Sequence, residues 1–303
     1  MNIGHIKNAL ALFSVSMFLL VAGCDSGAKE WSLEPAGTIE GFKTPECARV
    51  NPADGTVYVS NIFKITRDAK DPFDANGFIS KLAPGGKLID RAAIKGTDKF
   101  PVHSPSGMCI LDGYLYFNDV NTMKRRPLDG SGPTQLVPVP GAKGLNDAAT
   151  DGKYVYTTST GPGVIYRFDP ATGLSAKLMD LPRVNGIAFW EGRMFGVTIE
   201  KEKSDVYELD PTGKGAPKAF GLAGTFVGMD SIEVLPDGTI LLTDCLGHKI
   251  YTISPDHKTA TVVASKGLEY PADIGVDIER GYVYVPQFYR GTVEVFRLKS
   301  TDK

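Results

Sequence analysis

A phrase recurring at intervals of about forty residues constrains this chain more than any other feature. A small or polar residue precedes a short apolar strand, a Gly-containing turn follows, and then comes a second strand rich in Val, Tyr and Thr. Six copies can be laid out: Glu46-CARVNPADGTVYVSNI, Ser106-GMCILDGYLYFNDV, Asp147-AATDGKYVYTTST, Asn185-GIAFWEGRMFGVTI, Asp230-SIEVLPDGTILLTDC and Asp273-IGVDIERGYVYVPQF. Each unit continues into two more strands. In the third, Val164 to Phe168 follows Gly161-Pro162-Gly163, and Ala176 to Asp180 follows the Asp169 to Gly173 turn. Apolar and polar alternation bounded by Pro, Asp and Gly is the strand and hairpin signature, and helical periodicity is absent after the first residues.

Four-stranded units repeated radially make a β-propeller, which leaves only short, protected edges. Six units predict an all-β, six-bladed β-propeller over residues 31–303 as a single domain. The sixth unit lacks a fourth strand, because the chain runs out in Lys299-STDK, whereas Trp31-SLEPAGTIEGF is strand-like and unassigned. The N-terminal segment is therefore expected to supply that strand and close the ring. The spacing also places an insertion in the first unit, Phe63 to Gly77, joining its second and third strands. It carries Asp68, Asp71, Asp74 and Asn76 and reads as a solvated turn, or as a lid on the same face as the six unit starts.

Residues 1–23 read as a targeting segment: a basic start (His5, Lys7), an apolar stretch from Ala9 to Val21 too short to span a bilayer, and Leu20-Val21-Ala22-Gly23-Cys24. That ending resembles the bacterial lipobox. It implies lipidation of Cys24, a leash over residues 24–30 and export to the cell envelope; if the cell is Gram-negative, Asp25 resembles the inner-membrane retention signal and the protein would face the periplasm. Beyond Cys24 the cysteines are Cys47, Cys109 and Cys245, an odd number that leaves at least one free thiol. Cys47 and Cys109 begin consecutive inner strands and read either as a close pair or as small buried hydrophobes.

With 33 basic and 35 acidic residues the net charge is only −2, and there is no Lys/Arg run, so a nucleic-acid partner is not expected. A small-molecule substrate or ligand is expected instead, on a monomer. In a propeller the first residues of the inner strands ring one mouth of the central channel. Here they are Glu46, Ser106, Asp147, Asn185, Asp230 and Asp273, with Asn146 one position before Asp147. Converging carboxylates are costly unless protonated or neutralised by a cation. An all-oxygen set suits a hard divalent cation such as Ca²⁺, with Zn²⁺ and Mn²⁺ as alternatives, and the other reading of the same residues is a hydrated polar channel. His103 and His248 fall in loops on this face without a pattern that marks either as a base.

Together these motifs resemble the gluconolactonase-type family of six-bladed propellers, which includes regucalcin. The resemblance covers roughly residues 40–298 and is carried by Pro45-Glu46, Leu145-Asn146-Asp147, Val184-Asn185-Gly186, Met229-Asp230-Ser231 and Pro236-Asp237-Gly238. It implies a metal-dependent hydrolase acting on a lactone or related ester. The ligands it implies are Glu46, Asn185 and Asp230, with Asn146 as fourth ligand or substrate contact. Asp230 and Asp147 would be the catalytic carboxylates, and Ser106 and Asp273 would join Asn146 in binding substrate. The competing expectation is a non-catalytic binding or scaffold lipoprotein of the NHL-repeat kind, using the same face.

Overall fold

Strand-forming alternation becomes six four-stranded antiparallel sheets arranged as a β-propeller. The computed structural model describes residues 29–63, 73–201 and 203–301. Cys24, the targeting segment, and Asp68 and Asp71 of the insertion lie outside the described residues. β1 (Glu30–Glu40) comes first in the chain. Blade one is β2 (Pro45–Val50), β3 (Val57–Asn61), β4 (Phe78–Leu82) and β5 (Leu88–Lys95). Blade two is β6 (Pro105–Leu111), β7 (Tyr114–Asp119), β8 (Thr122–Pro127) and β9 (Gln135–Val137). Blade three is β10 (Leu145–Thr150), β11 (Val155–Ser159), β12 (Val164–Asp169) and β13 (Leu174–Asp180). Blade four is β14 (Val184–Trp190), β15 (Arg193–Thr198), β16 (Val206–Leu209) and the two-residue β17 (Lys218–Ala219). Blade five is β18 (Met229–Val234), β19 (Ile240–Asp244), β20 (Lys249–Ile253) and β21 (Ala260–Ala264). Blade six is β22 (Gly275–Asp277), β23 (Tyr282–Gln287) and β24 (Thr292–Thr301).

The missing strand of blade six is β1, which pairs antiparallel with β24 from Glu30↔Thr301 to Glu40↔Thr292. The ring closes at its axis as well. Ala48 N donates to Asp273 O, and Asp273 N donates to Glu46 O, each at 2.9 Å. Apolar side chains fill the spaces between neighbouring blades. Phe226, Met229 and Tyr251 pack with Phe195 and Val197 between blades four and five, and Leu33, Ile274 and Phe296 pack with Leu241 and Ile250 between blades five and six. Burying side chains of this size stabilises the fold by about 1.5–3 kcal/mol each.

Two devices recur at the channel mouth. The last residue of the second strand pins the loop that leads into the inner strand: Asn61 accepts from Lys43 N, Asp119 from His103 N and Ser104 N, Asp244 from Val227 N and Gly228 N, and Gln287 from Glu269 N. Ser159 does the same in reverse, donating its hydroxyl to Lys143 O. Blade four breaks the pattern because its loop has Pro182 at that position, which offers no N–H; Thr198 bonds the Asp205 backbone instead.

The second device is a β-bulge near the start of each of the first five inner strands, where three steps along the inner strand match two on its partner. The bulge leaves backbone groups unpaired, and a hydroxyl on the second strand takes them up. Thr158 Oγ1 accepts from Asp147 N at 3.0 Å and donates to Asn185 O of the next blade at 2.7 Å. Thr243 repeats this, accepting from Ser231 N at 3.0 Å and donating to Ala272 O at 3.1 Å.

Candidate functional site at the channel mouth

The bulge register corrects the expectation that six equivalent residues form one ring. The residues before the slip are Pro45, Pro105, Leu145, Val184 and Met229. Pro271, bridged to Gln287, takes the same place in blade six. The next position, the upper tier, holds Glu46, Ser106, Asn146, Asn185, Asp230 and Ala272. The position after it holds Cys47, Gly107, Asp147, Gly186, Ser231 and Asp273. Asp147 and Asp273 therefore sit one step deeper than Glu46 and Asp230. Asn146, not Asp147, is the blade-three member of the upper tier.

The upper tier is buried yet incompletely satisfied. Glu46 is 5% exposed and Asn185 2%, and both Glu46 Oε2 and Asn185 Oδ1 lack a hydrogen-bond partner. Asn185 Nδ2 donates to Asp230 Oδ1 at 2.6 Å. Gly186 is needed beside Asn185, because a Cβ there would come within 2.5 Å of Asp230 O on the adjacent strand. Ser106 Oγ donates to Asn146 O at 2.9 Å, and Asn118 Nδ2 donates to the same oxygen at 3.0 Å, which fixes Asn146 in the tier. Burial, followed by the charges of Asp230, Asp273 and Asp147, holds the Glu46 carboxyl well above the ordinary range. Asp230 is pushed up to about 7 by burial and Asp273, with the Asn185 hydrogen bond opposing.

The lower tier is organised around a cation that the repeat pattern concealed. Arg49 Nη1 lies 2.5 Å from Glu233 Oε1, and Arg49 Nη2 lies 3.5 Å from Asp273 Oδ2 and 4.0 Å from Asp147 Oδ1. Arg49 and Glu233 occupy the same inner-strand position, which is Cys109, Ala149, Ala188 and Gly275 in the other blades. A basic and an acidic residue replacing small ones at one inward position was the signal available in the sequence. Asp273 Oδ1 also accepts from Ser231 Oγ at 2.7 Å.

Asp147 has both oxygens engaged by backbone N–H groups, Oδ1 by Ala148 at 2.6 Å and Oδ2 by Ile187 at 2.8 Å. It joins blade three to blade four rather than facing the mouth. Ser106 likewise gives its hydroxyl to the Leu145 and Asn146 carbonyls. The two loop histidines are structural acceptors: His103 Nδ1 takes Ala75 N at 3.1 Å, and His248 Nδ1 takes Tyr270 N at 3.2 Å. In the insertion, Asp74 Oδ1 caps Asn76 N in an exposed turn. Cys47, Cys109 and Cys245 are free thiols. Burial raises the first two, Cys109 to about 12, so neither is a thiolate nucleophile.

Among the described residues no three His, Cys, Asp or Glu side chains cluster closely enough to hold a metal ion by themselves. Any cation at the mouth must draw on the Asn185 amide together with Glu46 and Asp230. That donor set fits a hard divalent ion in kind, since all the donors are oxygens and two acceptors are orphaned in a buried, acid-rich tier.

No family model and no curated protein matches this sequence. Solved structures do match it. A protein of unknown function from Bacteroides thetaiotaomicron is 13% identical over 89% of this chain and 76% of its own, with a TM-score of 0.64. A structural-genomics target assigned as a gluconolactonase is 17% identical over 89% and 95%, also at 0.64. A catalytically inactive virginiamycin B lyase from Staphylococcus aureus, with quinupristin, is 13% identical over 88% and 99%, at 0.57. At such identities the likeness is one of fold, and the chain is a six-bladed β-propeller closed by its own N-terminal strand.

Proposed function

We propose that this propeller hydrolyses a lactone or a related ester at the upper tier of its channel mouth. Glu46, Asn185 and Asp230 would hold a divalent cation, Ca²⁺ first and Zn²⁺ or Mn²⁺ as alternatives, with Asn146 beside them. The observation that carries this reading is the pair of orphaned acceptors, Glu46 Oε2 and Asn185 Oδ1, in the same tier as Asp230. A native fold rarely leaves two buried acceptors idle within one polar cluster. Glu46 and Asp230 together balance a divalent charge, and a cation so bound would polarise a carbonyl and stabilise its oxyanion. The gluconolactonase-assigned neighbour supports the reaction class, though it shares only the fold with this chain.

The chain's own residues supply orientation and proton handling. Asn185 fixes Asp230 by its Oδ1, and Asp230 Oδ2 is assigned to accept the proton of the attacking water. Asn146, half-buried and held by Ser106 and Asn118, is assigned to bind the substrate. Arg49 offsets the charge of Asp273 beneath them. Asp147, committed to backbone N–H groups, is left out of the chemistry. On the same footing, the chain is proposed to be an exported monomer anchored by lipid at Cys24.

A second reading has its own support. Ser106, Asp147 and Asp273 all bond neighbouring blades, as they would in a propeller that uses its ring for cohesion and its mouth only for binding. Turnover of a lactone panel by the full-length chain, followed by pH-stat with Ca²⁺ and then EDTA, separates the two. The hydrolase reading expects cation-dependent turnover that falls at least about a hundredfold in Asp230→Asn. Absence of turnover on every lactone with each of the three cations would leave the binding reading.

A further inference from the structure

Resting on the mouth as a carbonyl-binding site, we propose that its ligand carries an aliphatic or aromatic substituent, held by an apolar half-rim over blades five, six and one. Ten large hydrophobic side chains are exposed among the described residues. Ile89, Leu136, Leu174 and Val262 stand singly on outer strands of different blades, and Ile278 lies in a turn on the opposite face. Single exposed hydrophobics of that kind need no explanation. The other five, Val227, Leu246, Tyr289, Phe63 and Phe73, all sit in loops of the mouth face, and all belong to three adjacent blades. The same three blades also carry Lys43 and the Glu269–Arg290 ion pair, whereas over blades two to four no large hydrophobic side chain among the described residues is exposed in the corresponding loops. A rim divided in this way is an amphipathic surface around a polar centre, the usual construction of a small-molecule site.

The apolar side chains are held in place and close to the tier. Leu246 lies over Gly228, two residues before Asp230, so that a Cβ on Gly228 would meet Leu246 Cδ1 at 2.5 Å. Tyr289, 58% exposed, packs edge-on against Tyr270 with ring centroids 4.8 Å apart. Tyr270 in turn meets His248 at 4.5 Å. Tyr270 has φ +51°, at the position that Gly144 fills in blade three with φ +59°. Thr44 (φ +50°) and Arg183 (φ +60°) take the same left-handed turn in blades one and four, so the conformation belongs to the fold and Tyr270 adds a ring to it. Each methylene laid on these surfaces gains hydrophobic free energy.

The test uses 2-alkylcyclopentanones with butyl, hexyl and octyl chains, carbonyl probes that cannot be hydrolysed, titrated calorimetrically into the full-length chain with Ca²⁺. Affinity should rise about twofold to fourfold per added methylene. The pair Leu246→Ser and Tyr289→Ser should flatten that rise and leave the weak binding of unsubstituted cyclopentanone unchanged. Equal affinity at all chain lengths, or an unchanged slope in the double variant, overturns the proposal. So does binding to phosphatidylcholine vesicles that the double variant abolishes with no chain-length slope, since the rim would then be a membrane face. Lactone turnover without a slope would keep the hydrolase and remove the subsite. A slope without lactone turnover would keep the subsite and remove the hydrolase.

Discussion

Arg49 and Glu233 meet across the place of blade six at the channel axis, Nη1 to Oε1 at 2.5 Å, with side chains only 17% and 22% exposed. The same guanidinium reaches Asp273 and Asp147. One cation therefore serves three carboxylates on three different blades. Removing it by Arg49→Met should destabilise the protein by about 3 kcal/mol, because the acids stay behind in a poorly solvated channel. The double variant Arg49→Met/Glu233→Met should recover part of that loss. Urea unfolding measures both, and a single-variant loss under about 1 kcal/mol would show that Arg49 is dispensable.

Glu46 leads to a second expectation. A cation that binds only the folded chain must raise its melting temperature. Millimolar Ca²⁺ should therefore raise the Tm of the EDTA-treated protein, and Glu46→Gln should abolish the rise. An equal rise in Glu46→Gln would move the cation elsewhere.

The raised carboxyls of Glu46 and Asp230 give a pH signature with a definite sign. In the unfolded chain both titrate near 4, whereas in the folded, metal-free protein Asp230 titrates at about 7 and Glu46 well above its ordinary range. Between those limits the folded state holds more protons than the unfolded one. Their contribution to stability is then greatest in acid and falls as pH rises from 4 to 7, by about 1.4 kcal/mol per pH unit for Asp230, with Glu46 acting in the same direction. Denaturant midpoints across that range in EDTA should decline. Asp230→Asn should reduce the slope, and saturating Ca²⁺ should oppose the decline.

Thr158 and Thr243 allow a comparison of like with like. Each hydroxyl serves a bulge N–H and the next blade's carbonyl. Thr158→Val and Thr243→Val keep the shape and strand both partners, so each should cost about 2–4 kcal/mol by chemical denaturation. Losses within experimental error would mean that water replaces the hydroxyl.

The propeller was legible because its signals are local and repeated. Turn residues such as Asp169 to Gly173 and the alternation of Val155 to Ser159 specify strands within each unit, and the lack of a fourth strand in the sixth unit, after the one that begins at Thr292, points back to Trp31. The mouth was legible only in part. Its residue types stand out at the unit starts, but a bulge shifts register by one residue, and nothing in Leu145-Asn146-Asp147 says which polar residue is displaced. Lining up the polar residues made Asp147 the counterpart of Glu46, whereas strand pairing assigns that place to Asn146. Arg49 was hidden for a different reason: its partners Glu233, Asp147 and Asp273 lie on three other blades, and only closure of the ring brings them together.

That closure has a consequence for how the molecule comes into being. Glu30 to Glu40 leaves the ribosome long before Thr292 to Thr301, yet the two must zip together to finish blade six. Until the C-terminal strand arrives, β1 has no partner and five blades present open flanks at both ends of an incomplete ring. Completion must therefore wait for β24, a non-local step of the slow kind. Over that interval the unpaired β1 is an aggregation-prone edge in need of cover, whether by a chaperone or by its own charged residues Glu30, Glu34 and Glu40.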